Sequence, residues 1–313
     1  MILRRVAPLF PIAAAAACVP QAAPQAPSAP APAASAEVVQ PVRTPAPTPA
    51  ITPGPAEPSR PAVFSFAGEL TQGGWIRGTA PAGASKVMLG EDEVPLDSDG
   101  RFFAAFDRDA APQAALVATL ADGRTIRSPL TIAPRDWNIE RVDVARRAGG
   151  TSESFMERRR PELAAIWDAR QERTGAEGWR QDFIWPVTGR ISGRFGSQRI
   201  YRGEPGSYHS GLDIAGGAGT TYVAPADGIV TLAVDDFSLE GQLLIIDHGN
   251  GLNSAFLHSS KLYVKAGDRV RQGQRIGAIG SSGRATGPHL HWSLKWKDAR
   301  LDPLLFLPPM PTG

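Results

Sequence analysis

The sequence predicts a mainly β protein, with two β units joined by one short helical connector. Three observations carry that reading. Between residues 62 and 134, short apolar runs alternate with turn signals. Between residues 183 and 309, longer β-like runs are broken by many glycines. Only between these stretches, from Thr151 to Thr174, does the spacing of apolar residues change to that of a helix.

The chain has 313 residues, room for about two domains of ordinary size. It opens with Arg4 and Arg5, followed by an apolar run from Val6 to Ala17. That run has the length of the core of an export signal and is too short to span a bilayer. It ends in Ala15-Ala16-Ala17-Cys18, which resembles a bacterial lipoprotein signal with Ala15 where leucine is usual. Residues 1–18 are read as an export signal, and lipid on Cys18 is expected to anchor the protein to a membrane. The alternative is plain cleavage after Ala17, which leaves a soluble exported protein. Cys18 is the chain's one cysteine, so no internal disulfide holds the fold. Residues 19–61 are almost all Ala, Pro, Ser, Thr and Gln. Such a stretch buries too little apolar surface to offset its ordering entropy, and its prolines favour an extended spacer. The net charge of +2 comes without a clustered Lys/Arg stripe, so nucleic acid is not an expected partner.

Within residues 62–134 the expected strands are 63–66, 74–77, 86–89, 101–106 and 115–120. Asp99-Gly100 and Asp122-Gly123 are hairpin turn signals. About seven short strands in about 70 residues predict a small immunoglobulin-like β-sandwich. It carries no catalytic constellation, and orienting the next domain or binding a partner is its expected role. The connector spans 135–182. There Pro161 suits the first turn of a helix, Leu163, Ile166 and Trp167 fall on one face, and Gly175 suits its end. Arg158-Arg159-Arg160 read as the solvated start of that helix, with contact to an anionic surface as the alternative. In the last unit, 228–233, 242–247 and 252–257 are expected strands, the last two joined by a turn at 247–251.

Four of the chain's five histidines gather in three short segments of that unit. These are His209-Ser210-Gly211-Leu212-Asp213, Phe256-Leu257-His258 and Gly287-Pro288-His289-Leu290-His291. Imidazoles with one nearby carboxylate are what a catalytic zinc site needs, with three protein ligands and a fourth position left for water. Residues two apart on a strand face the same way, so His289 and His291 share a site, and only one need bind metal. His209 and Asp213, four apart, can converge on one ion from a turn. Gly280-Ser281-Ser282-Gly283-Arg284 lacks the ending of a phosphate loop and is read as a close backbone approach to substrate. His248 is read as structural.

With those motifs in place, residues 183–309 resemble the lysostaphin/LytM family of zinc metallopeptidases, which cut peptide bridges in bacterial cell walls. The likeness includes Trp185-Pro186-Val187, Ser192-Gly193-Arg194-Phe195-Gly196, Ala224-Pro225-Ala226-Asp227-Gly228, Asp247-His248-Gly249 and Gly267-Asp268-Arg269-Val270, in that order. The resemblance implies an antiparallel β peptidase domain. It implies that His209, Asp213 and His291 hold one zinc ion, and that His289 and His258 are catalytic. The ion lowers the pKa of a bound water to about 7 and polarises the scissile carbonyl. The implied activity is hydrolysis of peptidoglycan cross-links at the D-alanyl–meso-diaminopimelate bond, in the periplasm from an outer-membrane anchor. Arg199 and Arg202, just before the first ligand, are candidates to pair with a substrate carboxylate. Two rivals remain: a regulatory module that activates a cell-wall amidase, and a zinc protease of proteins. An envelope regulator or inhibitor is a further expected partner, and residues 151–180 are a candidate cover for the groove.

Overall fold

The computed structural model describes residues 62–145 and 152–311. The expected export signal with Cys18 and most of the Pro/Ala-rich stretch lie outside the described residues. Among the described residues, no helix is long and apolar enough to cross a membrane.

The first β unit holds seven strands: β1 (Ser65–Gly68), β2 (Trp75–Thr79), β3 (Ala84–Leu89), β4 (Asp92–Glu93), β5 (Arg101–Ala105), β6 (Gln113–Leu120) and β7 (Thr125–Thr131). They form two sheets, β1-β2-β5 and β4-β3-β6-β7. Alternation turns Ile76, Val87, Phe102, Leu116 and Ala118 inward. The five strands expected from pattern omit β4, only two residues long, and β7, which contains Pro129, a residue that a central strand would not tolerate. β7 lies at the sheet edge.

β8 (Ile139–Val142) then runs parallel to β10 (Gln198–Tyr201), which pairs with β11 (Glu204–Pro205). Between β8 and β10 come the helix α1 (Glu153–Gln171) and β9 (Ile191–Gly193). Ser152 caps α1 by accepting a 3.2 Å hydrogen bond from the Phe155 amide. Three expectations for this helix fail. Pro161 sits in its interior rather than its first turn, and the helix ends at Glu172 rather than Gly175. Leu163 and Trp167 are exposed, while Arg159, Glu162 and Ala169 are buried. The cause is electrostatic docking. The Arg159 guanidinium donates to both Glu240 oxygens at 2.6 and 2.7 Å and to Glu162 at 2.9 Å. The Ser238 amide and hydroxyl in turn donate to Glu162. Arg159 is therefore an anchor, not part of a solvated helix start.

The large sheet takes β12 (Leu212–Ala215), β13 (Thr221–Val223), β14 (Gly228–Phe237), β15 (Gly241–Gly249), β16 (Leu252–Leu262), β17 (Arg269–Val270), β18 (Arg275–Ile279), β19 (His289–Trp296) and β20 (Ala299–Leu301). Its main order is β17-β14-β15-β16-β19-β12-β9. Asn250 and Gly251 join β15 to β16 with φ of 52° and 83°, the left-handed pair that a two-residue hairpin turn requires. Along β19, Leu290, Trp292, Leu294 and Trp296 point into the core. Trp292 stacks on Phe256, which stacks on Tyr222. The odd residues His289, His291, Ser293 and Lys295 take the other face.

The first β unit packs against the segments that flank this sheet. Trp75 lies 5.2 Å from Phe306, ring to ring, and donates to Leu305 O at 2.9 Å. Arg135 pairs with the buried Asp302 at 2.8 Å. Arg108 donates to Gly196 O and Gln198 and stacks on Tyr208, the residue before His209.

Candidate metal centre

Register creates the site. β12 and β19 run antiparallel with Asp213 opposite His291 and Ala215 opposite His289. A carboxylate and an imidazole thus face each other without any long side-chain reach. His209 lies just upstream of β12. Its amide donates to Ser197 O and its carbonyl accepts from the Gly196 amide, which ties it to the β9–β10 loop.

Three atoms then form a small triangle. His209 Nε2 is 3.0 Å from Asp213 Oδ1 and 3.1 Å from His291 Nδ1, and His291 Nδ1 is 2.8 Å from Asp213 Oδ1. Zinc bonds of about 2.0–2.1 Å in a tetrahedron place neighbouring ligand atoms about 3.3 Å apart. The triangle is close to one face of that tetrahedron, so the donor set fits the ion. The other nitrogen of His209, Nδ1, donates to Arg194 O at 3.1 Å, so in the neutral imidazole that a metal would require, Nε2 carries the lone pair. Two glycines make room. A Cβ on Gly193 would lie 2.3 Å from Asp213 Oδ2, and one on Gly211 would lie 2.7 Å from His291 Nε2.

Charge follows from this packing. Burial opposes the Asp213 carboxylate, but hydrogen bonds from His209 and His291 outweigh it and hold the carboxyl well below its usual range. Burial pushes the His291 imidazole down, so it stays neutral as metal binding requires. His209 also loses solvation, yet its hydrogen bond with Asp213 raises it overall.

The other two site histidines are held differently. His289 Nδ1 donates to Gly287 O at 2.8 Å, and its Nε2 lies 3.7 Å from Asp213 Oδ1. His258 Nδ1 donates to Ser282 O at 2.8 Å, and its ring is 5.1 Å from that of His289. In the neutral imidazole each ring then carries its lone pair on Nε2. A regular strand would aim His258 away from the groove, since its neighbour Leu257 pairs with His291. Instead the register with β15 shifts between Gln242 and Leu244, and His258 takes φ of 65°. That bulge re-aims the side chain toward His289, in a backbone region that costs a non-glycine residue about 1–3 kcal/mol. Burial lowers the His258 pKa.

Of the sequence-predicted candidates, His209, Asp213 and His291 converge, with His289 and His258 beside them. Arg199 borders a cleft of about 940 Å³ that also touches His209, with its Nε 2.6 Å from Glu140. Arg202 pairs with Asp143 at 3.0 Å in the β10–β11 turn and does not line that cleft. Sequence reasoning misses the backbone carbonyls of Arg194, Ser282 and Gly287, whose roles leave no side-chain signature. The Gly280–Arg284 stretch was legible only as a close backbone approach. His248 is fully buried between Asp227 O and Ser254 Oγ, both at 2.7 Å.

Comparison with known proteins bears on the same segment. Residues 207–303 match the description Peptidase family M23. The chain carries a peptidase family M23 domain. All five site residues lie inside it. The chain is 40% identical over 109 residues to the peptidoglycan DD-endopeptidase ShyA of Vibrio cholerae, covering 34% of this chain and 24% of that protein. It is 34% identical over 130 residues to the murein hydrolase activator NlpD of Escherichia coli, covering 42% of this chain and 31% of that protein. The chain thus spans between about a quarter and a third of the length of these relatives. A Pseudomonas aeruginosa crystal structure described as a peptidase M23 superposes with a TM-score of 0.59 at 26% identity, over 76% of this chain and 95% of that one. That superposition reaches beyond the M23 match, into the elements that precede it.

Proposed function

We propose that the protein is a zinc-dependent endopeptidase that hydrolyses peptide cross-links of peptidoglycan, the D-alanyl–meso-diaminopimelate bond foremost. One observation carries this reading: a ligand triangle of tetrahedral dimensions flanked by two histidines whose rings lie 5.1 Å apart, each with Nδ1 held on a backbone carbonyl. Zinc held by His209, Asp213 and His291 would supply Lewis acidity toward the scissile carbonyl and acidify water at neutral pH. His258 and His289 act as proton acceptor and donor, because each has its Nδ1–H fixed on a carbonyl and its Nε2 free. Asp213 keeps its negative charge under burial and so balances part of the ion's charge. The likeness to a peptidoglycan DD-endopeptidase supports the substrate class. The names of relatives such as the lipoprotein NlpD/LppB homolog of Pseudomonas aeruginosa support a periplasmic location with lipid on Cys18. Labelling with a fatty acid in wild type and Cys18→Ala tests that anchor.

The likeness to murein hydrolase activators favours a second reading, activation of a cell-wall amidase. The decisive experiment incubates purified protein with sacculi, with and without a chelator, and identifies products by mass spectrometry. Chelator-sensitive release of uncross-linked peptides supports the hydrolase. Unchanged sacculi under zinc-replete conditions, with stimulation of an added amidase, would overturn it.

A further inference from the structure

On the α1 side of the metal cluster lies a second groove, of about 320 Å³, with His291 at one end. Its floor is one face of four strands, β15, β16, β19 and β20. Asn253 of β16 pairs with Lys295 of β19, and Lys295 pairs with Arg300 of β20. Residues paired in register point to the same side of a sheet, so Lys295 and Arg300 stand next to each other. α1 adds Arg170, which donates to Asn253 Oδ1 from above. Three cations from sequence positions 130 residues apart therefore line one cavity.

Their charges are only partly balanced locally. Among the described residues, neither Arg170 nor Arg300 forms an ion pair, and Lys295 has only Asp298, exposed and 3.6 Å away. Glu240, which also lines the groove, is taken up by Arg159. Burial, then the charge of Arg300, pushes Arg170 down to about 10. Burial, then Arg170, lowers Lys295 as well. Gathering like charges in a partly dry groove is unfavourable, and a bound anion relieves it.

We propose that Arg170, Lys295 and Arg300 form a subsite for a carboxylate of the peptide substrate. The inference rests on the endopeptidase reading and names what selects its substrate. Lys295 lies four residues from His291 on the same face of β19, which is about 13 Å at the rise of a strand. An extended peptide covers that distance in about four residues. The subsite thus reads a carboxylate three or four residues from the scissile bond. Beside His291, the half-buried Leu257 and the half-exposed Trp167 give the peptide an apolar wall.

Calorimetric binding of an uncross-linked stem peptide to the full chain tests this. The peptide is used in two forms, with free carboxylates and with every carboxylate amidated. Wild type binds the free form about tenfold more tightly, and Lys295→Gln/Arg300→Gln binds both forms alike. Arg300→Gln alone, at an exposed side chain, narrows the preference and serves should the double variant melt early. Equal affinity of wild type for the two forms, or an unchanged preference in the variants, overturns the subsite. Hydrolysis of cross-linked muropeptides is followed in parallel. Carboxylate-dependent binding without hydrolysis sinks the catalytic reading and keeps the subsite. Hydrolysis with carboxylate-blind binding sinks the subsite alone.

Discussion

His248 and His258 sit at opposite ends of one hairpin, β15–β16, and both are buried with Nδ1 on a backbone carbonyl. At that point they diverge. His248 spends its second nitrogen on Ser254 Oγ and is fully enclosed. His258 leaves its second nitrogen free, stands in a left-handed bulge and faces His289. A histidine's task here is set by what its second nitrogen meets, and the bulge decides that. One residue is fastened into the fold, and the other is strained toward a groove.

The sharpest way to break this contrast is activity. His258→Gln is expected to lower turnover of cross-linked muropeptides by about 10²–10⁴-fold, with the melting temperature little changed. Equal losses in His248→Gln, assayed well below its melting temperature, would erase the distinction. The next effect is on stability. Burial pushes His248 down to about 4, whereas the unfolded imidazole titrates near 6.5. Between those values the unfolded chain binds more protons, so stability falls as pH drops through the window and is fully present above it. The expected loss is about 3 kcal/mol by pH 4, measured by denaturant unfolding across pH, and His248→Gln should flatten this share of the curve.

At neutral pH, His248→Gln should itself cost about 2 kcal/mol, because Asp227 O and Ser254 Oγ lose well-placed partners. Gly193→Ala sharpens the comparison from the metal side. Its Cβ displaces Asp213, and zinc affinity measured by competition with a chromophoric chelator should weaken about 10–100-fold while the hairpin histidines keep their places. The smallest effect belongs to the arginines before the first ligand. Arg199→Ala and Arg202→Ala, singly and together, are expected to raise KM for cross-linked muropeptides about threefold if either pairs with a substrate carboxylate. Unchanged kinetics would remove both from the site.

Much of the site was legible because its signals are local. His-x-His on a strand puts two rings on one face whatever surrounds it. His209 and Asp213 are close enough along the chain to meet within one turn. The β class was legible from period-two alternation, as β19 illustrates with its apolar even residues. The connector was misread where tertiary charge overrode pattern. Leu163 and Trp167 mark an apolar stripe, yet α1 docks through Arg159 onto Glu240, while its own Glu162 accepts from Ser238.

The sequence alone determined which atoms are available: imidazoles and a carboxylate at spacings that suit strands and turns, in a chain with apolar alternation enough to build a sheet. Tertiary structure decided what those atoms face. Backbone carbonyls carry no residue signature, so the proton positions on His209, His258 and His289 emerge only once the loops close over them. The same holds for Arg170, Lys295 and Arg300, because electrostatic interaction depends on separation in space, and only folding brings positions so distant in the chain within its range.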